Sequence, residues 1–183
     1  MAPLDYDMAC QIHSYLRGRG VDLRLNQTVT GFYEEDGRLY TQLEGREAVG
    51  ADLAILAIGV APETHLAKEA GLSLGIRESI LVNERMETSD PDIYAVGDAV
   101  QVRHFVSGAD SLIALAGPAN KQGRIAADNI CGRDSRFDGS QGSSIIRLFD
   151  MTAASTGLNE KAATAAGIPW EAVVTYSASH AAY

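Results

Sequence analysis

The sequence predicts an α/β fold, made of partial doubly wound layers followed by a smaller α+β piece. Three observations carry this. Residues 52–58 and 93–96 are apolar runs that end at Gly59 and Gly97, the pattern of strands buried on both faces of a parallel sheet. Apolar residues fall at helical spacing over residues 5–18, and residues 112–130 are apolar and rich in small residues, with a Gly-Pro helix entry. A polar stretch rich in Gly, Ser and Asp, residues 133–141, then precedes a last segment with its own strand–helix–strand pattern.

Taken in order, residues 5–18 read as an amphipathic helix. Met8, Ile12, Tyr15 and Leu16 share a face, Asp5 stands near the start, and Gly18 or Gly20 supplies the stop. Residues 21–25 alternate as a short strand. Residues 29–33, 39–43 and 48–49 form a small antiparallel meander, and Glu34-Glu35-Asp36-Gly37 carries an Asp-Gly hairpin signal with a solvated acidic tip. After the run at 52–58, Ala61-Pro62-Glu63-Thr64 opens a short helix through Ala70, ended by Gly71. Residues 80–82 lead to the buried strand at 93–96. Gly117-Pro118 marks the entry of the next helix and Gly132 its end. The last segment reads as a strand at 144–149, a helix at 159–166 with Asn159 as N-cap and Gly167 as stop, and a strand at 172–175.

The chain has 183 residues, of which 46% are hydrophobic and 21% charged, enough to build a core. A net charge of −9 argues against binding nucleic acid through its phosphates. No apolar run is long enough to cross a bilayer, and no basic-then-apolar signal peptide opens the chain, so no membrane partner is expected. Cys10 and Cys131 are widely separated and lack any Cys-x-x-Cys partner. They read as buried structural thiols in a reducing, cytoplasmic setting. His13, His65, His104 and His180 show no ligand spacing, so no metal site is expected.

Three motifs narrow the reading. Thr88-Ser89-Asp90-Pro91-Asp92-Ile93-Tyr94-Ala95-Val96-Gly97-Asp98-Ala99 resembles the second flavin-binding motif of flavoproteins with two dinucleotide domains. Leu115-Ala116-Gly117-Pro118-Ala119-Asn120-Lys121-Gln122-Gly123-Arg124 and Phe149-Asp150-Met151-Thr152-Ala153-Ala154-Ser155-Thr156-Gly157-Leu158-Asn159-Glu160 resemble the pyridine nucleotide–disulfide oxidoreductase family, in its coenzyme A–disulfide reductase and NADH oxidase/peroxidase branch. The terminal Ser179-His180-Ala181-Ala182-Tyr183 is similar to a motif of that branch's dimerisation domain. The resemblance implies an α/β fold with FAD/NAD(P)-binding layers. Residues 1–76 would be the C-terminal part of an NAD(P)-binding domain, 77–136 the second segment of an FAD-binding domain, and 141–183 the N-terminal part of a dimerisation domain.

The implied chemistry uses two cofactors, FAD and NAD(P)H. A hydride passes from nicotinamide to FAD, and electrons pass on to a cysteine-based acceptor: a thiol or disulfide such as coenzyme A disulfide, a persulfide, oxygen or peroxide. The family's redox cysteine and its flavin Gly-x-Gly-x-x-Gly are both absent from this sequence, so the chain alone is expected to be inactive and to hold FAD weakly.

Gly97, Asp98 and Ala99 would bind the flavin, with Asp98 accepting from its ribityl chain; otherwise Asp98 is a turn residue capping the next helix. Ala116, Gly117 and Ala119 would bring a helix N-terminus to the flavin's pyrimidine edge, or else simply permit close packing. Asn120, Lys121 and Arg124 would face the thiol substrate, or form a solvated helix face. Gly59 would lie on the nicotinamide side of the NAD site, or end a strand. Tyr183 would act across a homodimer formed through the C-terminal segment, or plug its core. A non-catalytic association fragment and a ferredoxin reductase-like flavoprotein are the alternatives. Ser155-Thr156-Gly157-Leu158-Asn159 argues against the second.

Overall fold

The computed structural model describes residues 3–178. The chain divides into two compact units, one of Cys10–Val60 and one of the first nine residues with residues 61–183.

The division falls inside helix α1 (Tyr6–Gly18). Ile12 is buried on it, while Met8 is exposed. Gly20, at φ 83°, provides the stop: its N–H reaches Arg17 O at 3.0 Å, and the Val21 N–H reaches Leu16 O at 3.1 Å. Strands β1 (Val29–Glu35), β2 (Arg38–Leu43) and β3 (Val49–Ala51) form the expected antiparallel meander in the order β1-β2-β3. Asp36 and Gly37 take φ of 52° and 74°, the left-handed pair that a two-residue hairpin turn requires. The register sets Tyr33 opposite Tyr40, and their rings stack with centroids 5.1 Å apart.

Two expectations fail in this unit. Residues 21–25 and 52–58 are not strands. Leu53 is 68% exposed and Ile58 91% exposed. A strand exists only through neighbours that take its backbone bonds, and no described segment pairs with either run.

The larger unit holds the core: Met86, Val100, Val102, Ala126 and Phe137, with Ile80, Val82, Tyr94, Ala95, Ile113 and Ile125 packed against it. Its elements are α2 (His65–Glu69), β4 (Val102–Arg103), β5 (Asp110–Ser111), α3 (Ala116–Ile130), β6 (Ser144–Leu148), β7 (Met151–Ser155) and α4 (Glu160–Ala165). Strands β4 and β5 are too short to be read from the sequence. Residues 93–96 are not a buried strand. They form one arm of a tight loop, with a single bridge between Glu87 and Tyr94, and Ile93 and Val96 stay exposed. Strand β6 forms as expected and pairs with β7. Residues 172–175 pair with no described segment and are not a strand.

Met86 is both buried and left-handed, at φ 68°. An Asn83 turn sets this up: Asn83 Oδ1 accepts from the N–H groups of Arg85 at 2.9 Å and Glu87 at 3.1 Å. Burying a Met side chain is worth roughly 1.5–3 kcal/mol. That exceeds the roughly 1–2 kcal/mol cost of a left-handed non-glycine residue.

Helix α3 is fastened to this turn through Gln122, Ala126 and Asn129, its buried residues. The Asn129 amide donates to Arg85 O at 3.1 Å, Ile125 O at 2.9 Å and Ser135 O at 2.8 Å, while its Oδ1 accepts from the Ser135 N–H at 3.3 Å. At the other end of the unit, Asn159 Oδ1 accepts from the Ala162 N–H at 2.9 Å and caps α4 as expected.

Two predictions follow from this packing. Asn129→Leu orphans two long-range carbonyls and should destabilise the protein by about 2–4 kcal/mol. An unchanged urea midpoint would contradict this account of α3. The second concerns acid. Glu87 accepts hydrogen bonds from Asn83 and Arg85, and both hold its carboxyl below the usual carboxylate range. A depressed native value means that the Glu87 contribution is present above the ordinary carboxylate range and is lost as pH falls through the lowered value. Glu87→Gln should therefore shallow the acid limb of a stability–pH curve, and an acid limb as steep as wild type would refute it.

Candidate functional site

The site is built where irregular backbone meets α3. Residues 93–96 end at Gly97, whose φ of 89° lets the chain turn back with nothing within 4 Å of where a Cβ would stand. The Val100 N–H reaches Gly97 O at 3.3 Å and closes a turn with Asp98 and Ala99 at its tip. The Gly97 N–H donates to Gln122 Oε1 at 2.7 Å. Gln122 lies on the second turn of α3 and is only 1% exposed. A buried amide thus ties the residue before Asp98 to the helix.

Asp98 is exposed, and among the described residues its carboxylate has no hydrogen-bond or ion-pair partner. It caps no helix: the next long one, α3, takes Leu115 as its N-cap, without a side-chain cap. An uncapped helix start leaves backbone N–H groups free and a partial positive charge. No acidic residue stands in the first turn of α3 to neutralise it. Ala116 and Gly117 are exposed there, and a Cβ on Gly117 would meet nothing within 4 Å. Ala119 donates its N–H to Leu115 O at 3.2 Å.

These groups suit a flavin. A carboxylate acceptor is available to sugar hydroxyls, and an open helix start is available to an electron-rich ring edge. The small residues at both points leave backbone, not side chain, to make the approach.

The other expected residues are less gathered. Asn120 is exposed and turns its amide back on Ala116 O at 3.0 Å. Lys121 is exposed, without a partner among the described residues, and borders a cavity of about 540 Å³ that Arg136 also lines. Arg124 is exposed and does not line that cavity. Gly59 belongs to the smaller unit, at φ 103° with open space beside it. Tyr183 lies outside the described residues. Cys10 is half-buried, but Cys131 is exposed. The expectation of two buried thiols fails at Cys131 because it stands two residues past Asn129, about 200° around the helix from the packed face.

Gln122 was not singled out from the sequence. Its signal was positional: Gln122, Ala126 and Asn129 fall at i, i+4 and i+7, the spacing of a buried helix face. Among the described residues no group of three His, Cys, Asp or Glu side chains could hold a metal ion, and no helix is long and apolar enough to cross a membrane.

Comparison with known proteins points the same way. The family model described as pyridine nucleotide-disulphide oxidoreductase matches residues 1–123. An NAD(P)H sulfur oxidoreductase (CoA-dependent) of Pyrococcus furiosus is 38% identical over 135 residues, 68% of this chain and 30% of that protein. An NADH oxidase of Methanocaldococcus jannaschii is 34% identical over 166 residues, 91% of this chain and 37% of that one. The crystal structure of reduced Bacillus anthracis CoADR-RHD superposes with a TM-score of 0.88 at 45% identity, over 93% of this chain and 30% of that chain. The chain spans about a third of the length of the curated relatives it matches.

Proposed function

The chain belongs to the pyridine nucleotide-disulphide oxidoreductase family, and from that premise we propose that it forms part of an FAD-dependent enzyme that passes electrons from NAD(P)H to a disulfide or persulfide acceptor. The observation that carries this reading is the turn Gly97-Asp98-Ala99 held by Gln122 against a helix with an uncapped start. The sulfur chemistry is drawn from the CoA-dependent sulfur oxidoreductase relative.

Bound FAD would supply the redox chemistry, taking up a hydride and giving up electrons. The chain's own residues bind and orient. The Asp98 carboxylate accepts hydrogen bonds from the ribityl hydroxyls, with Gly97 and Ala99 shaping its turn. The free N–H groups at Ala116 and Gly117 would face the pyrimidine edge, with Ala119 small enough to permit the approach, and the helix's partial positive charge would favour added negative charge on the ring. Pro118 has no N–H to offer and presets the helical φ at this start. Gly59 lies toward the nicotinamide, and Asn120, Lys121 and Arg124 toward an acidic thiol substrate such as coenzyme A. Residues 1–76, 77–136 and 141–183 then correspond to NAD(P)-binding, FAD-binding and dimerisation segments of a cytoplasmic homodimer, with Tyr183 reaching the partner's site.

The dimer reading rests on exposed apolar side chains. Ile145 and Ile146 on β6, Phe149, Val173 and Val174 all lie open to solvent, more apolar surface than monomers usually leave uncovered. An isologous contact would cover this surface in both copies at once.

Two measurements test the proposal. Asp98→Ala in the flavin-loaded enzyme should lower FAD affinity tenfold or more, since a hydrogen bond to a charged acceptor is worth about 1.5–3 kcal/mol. Unchanged flavin content after dialysis would overturn the assignment. Light scattering should give the mass of a dimer, and a double substitution Ile145→Lys, Ile146→Lys should give a monomer. A well-dispersed monomeric wild type at high concentration would contradict the interface.

A further inference from the structure

Asp98 is held by nothing of its own. Its carboxylate has no partner among the described residues, and no regular strand runs through the residues before it. Gly97, which precedes it, adds backbone freedom. Backbone bonds hold the turn at its far side, where the Ile80 N–H reaches Ala99 O at 2.9 Å, and close it through the long Val100-to-Gly97 bond at 3.3 Å. On the near side, the Gly97 N–H is held by the shortest of the three bonds, 2.7 Å, to Gln122.

That side chain is unusual in its setting. A glutamine is seldom fully buried, and this one, 1% exposed, fills a core position on α3 that an apolar residue could take. Its carbonyl is spent on one backbone N–H, that of the residue before Asp98. The far end of the same helix face is fixed separately, by Asn129 to Arg85, Ile125 and Ser135. Helix packing therefore has its own anchor, and the bond of Gln122 serves the turn.

We propose that Gln122 is a positioning residue for the flavin: by accepting the Gly97 N–H it sets the Asp98 carboxylate in register with the N-terminal turn of α3. Resting on the flavin reading above, this assigns the cofactor's two points of attachment to one rigid body. A ligand gripped at both ends gains affinity when the two grips are already spaced to fit it, because no ordering is left to be done on binding. The role needs an acceptor at that reach from the helix. A longer or shorter side chain, or one of the same length without an acceptor, would leave α3 packed and the turn loose.

The test separates position from stability. Gln122→Met keeps length and bulk but removes the acceptor. Gln122→Asn keeps the amide but withdraws it by one methylene, and stands in for Met should that variant not fold. Gln122→Glu keeps an acceptor at the right reach. In the flavin-free protein, amide exchange at Gly97 should accelerate tenfold or more in the Met and Asn variants and stay within threefold of wild type in Glu. In the flavin-loaded enzyme, the dissociation constant for FAD should rise at least tenfold in Met and Asn, with Glu again within threefold. Asn129→Leu, by contrast, should lower the melting temperature while moving FAD affinity by no more than twofold in the folded protein. Folded Met and Asn variants with wild-type FAD affinity overturn the proposal, and so does accelerated Gly97 exchange without loss of affinity. A whole wild-type enzyme, of which this chain forms part, that takes up no FAD overturns the flavin reading itself, and this one with it.

Discussion

The larger unit depends on one constraint: irregular backbone has to find hydrogen-bond partners without a sheet. Between Ile80 and Val102 the chain makes isolated bridges in place of a ladder. An orphaned buried N–H or C=O costs about 1–3 kcal/mol. Helix α3 meets that demand from its packed face. Gln122 offers an acceptor to Gly97, and Asn129 offers donors to Arg85 and Ser135, with Ala126 between them small enough for close approach. Two buried amides would be a poor exchange for two leucines if only burial counted. They win because each leucine would leave backbone groups unpaired as well.

The same constraint explains what is exposed. The segments at residues 53–60, 145–149 and 173–176 carry Ile, Leu, Val, Phe and Tyr side chains that stay open to solvent. Their composition is that of strands packed on both faces, and the described chain offers no surface to cover them. A β6–β7 hairpin survives alone because its two strands satisfy each other across five paired positions. Among the described residues, 172–175 and 52–58 have no such neighbour and form no strand. The difference lies in pairing, since the apolar content of these segments is alike.

What could be read from the sequence divides along the same line. Local chemistry was legible. Asp36-Gly37 specified its turn, Asn159 its cap, and Gly20 and Gly167 their helix stops, each through backbone conformations or bonds within a few residues. Strands predicted from apolar runs alone were not dependable, because a strand is a relation between distant segments and the pattern shows only one party to it. The site followed the same rule. Asp98 and the start of α3 stand out as motifs, each local. Gln122 does not, since its meaning comes from Gly97, 25 residues away in the chain. The helical spacing of Gln122, Ala126 and Asn129 placed all three on a core face, but spacing cannot tell which backbone group a buried amide will meet.

On the proposed flavin reading, this bears on how a binding site is made from a loop. An exposed carboxylate in a turn is common and binds nothing by itself, because water solvates it well and any ligand must first displace that water. What distinguishes Asp98 is that its turn is not free to move. A buried 2.7 Å bond to a helix transfers the rigidity of the core to a residue that is itself at the surface. The carboxylate can then remain solvated and unpaired until a ligand arrives, while its position relative to the helix start is already decided. Precision at the surface is set from below, by a side chain that touches no solvent and takes no part in the chemistry.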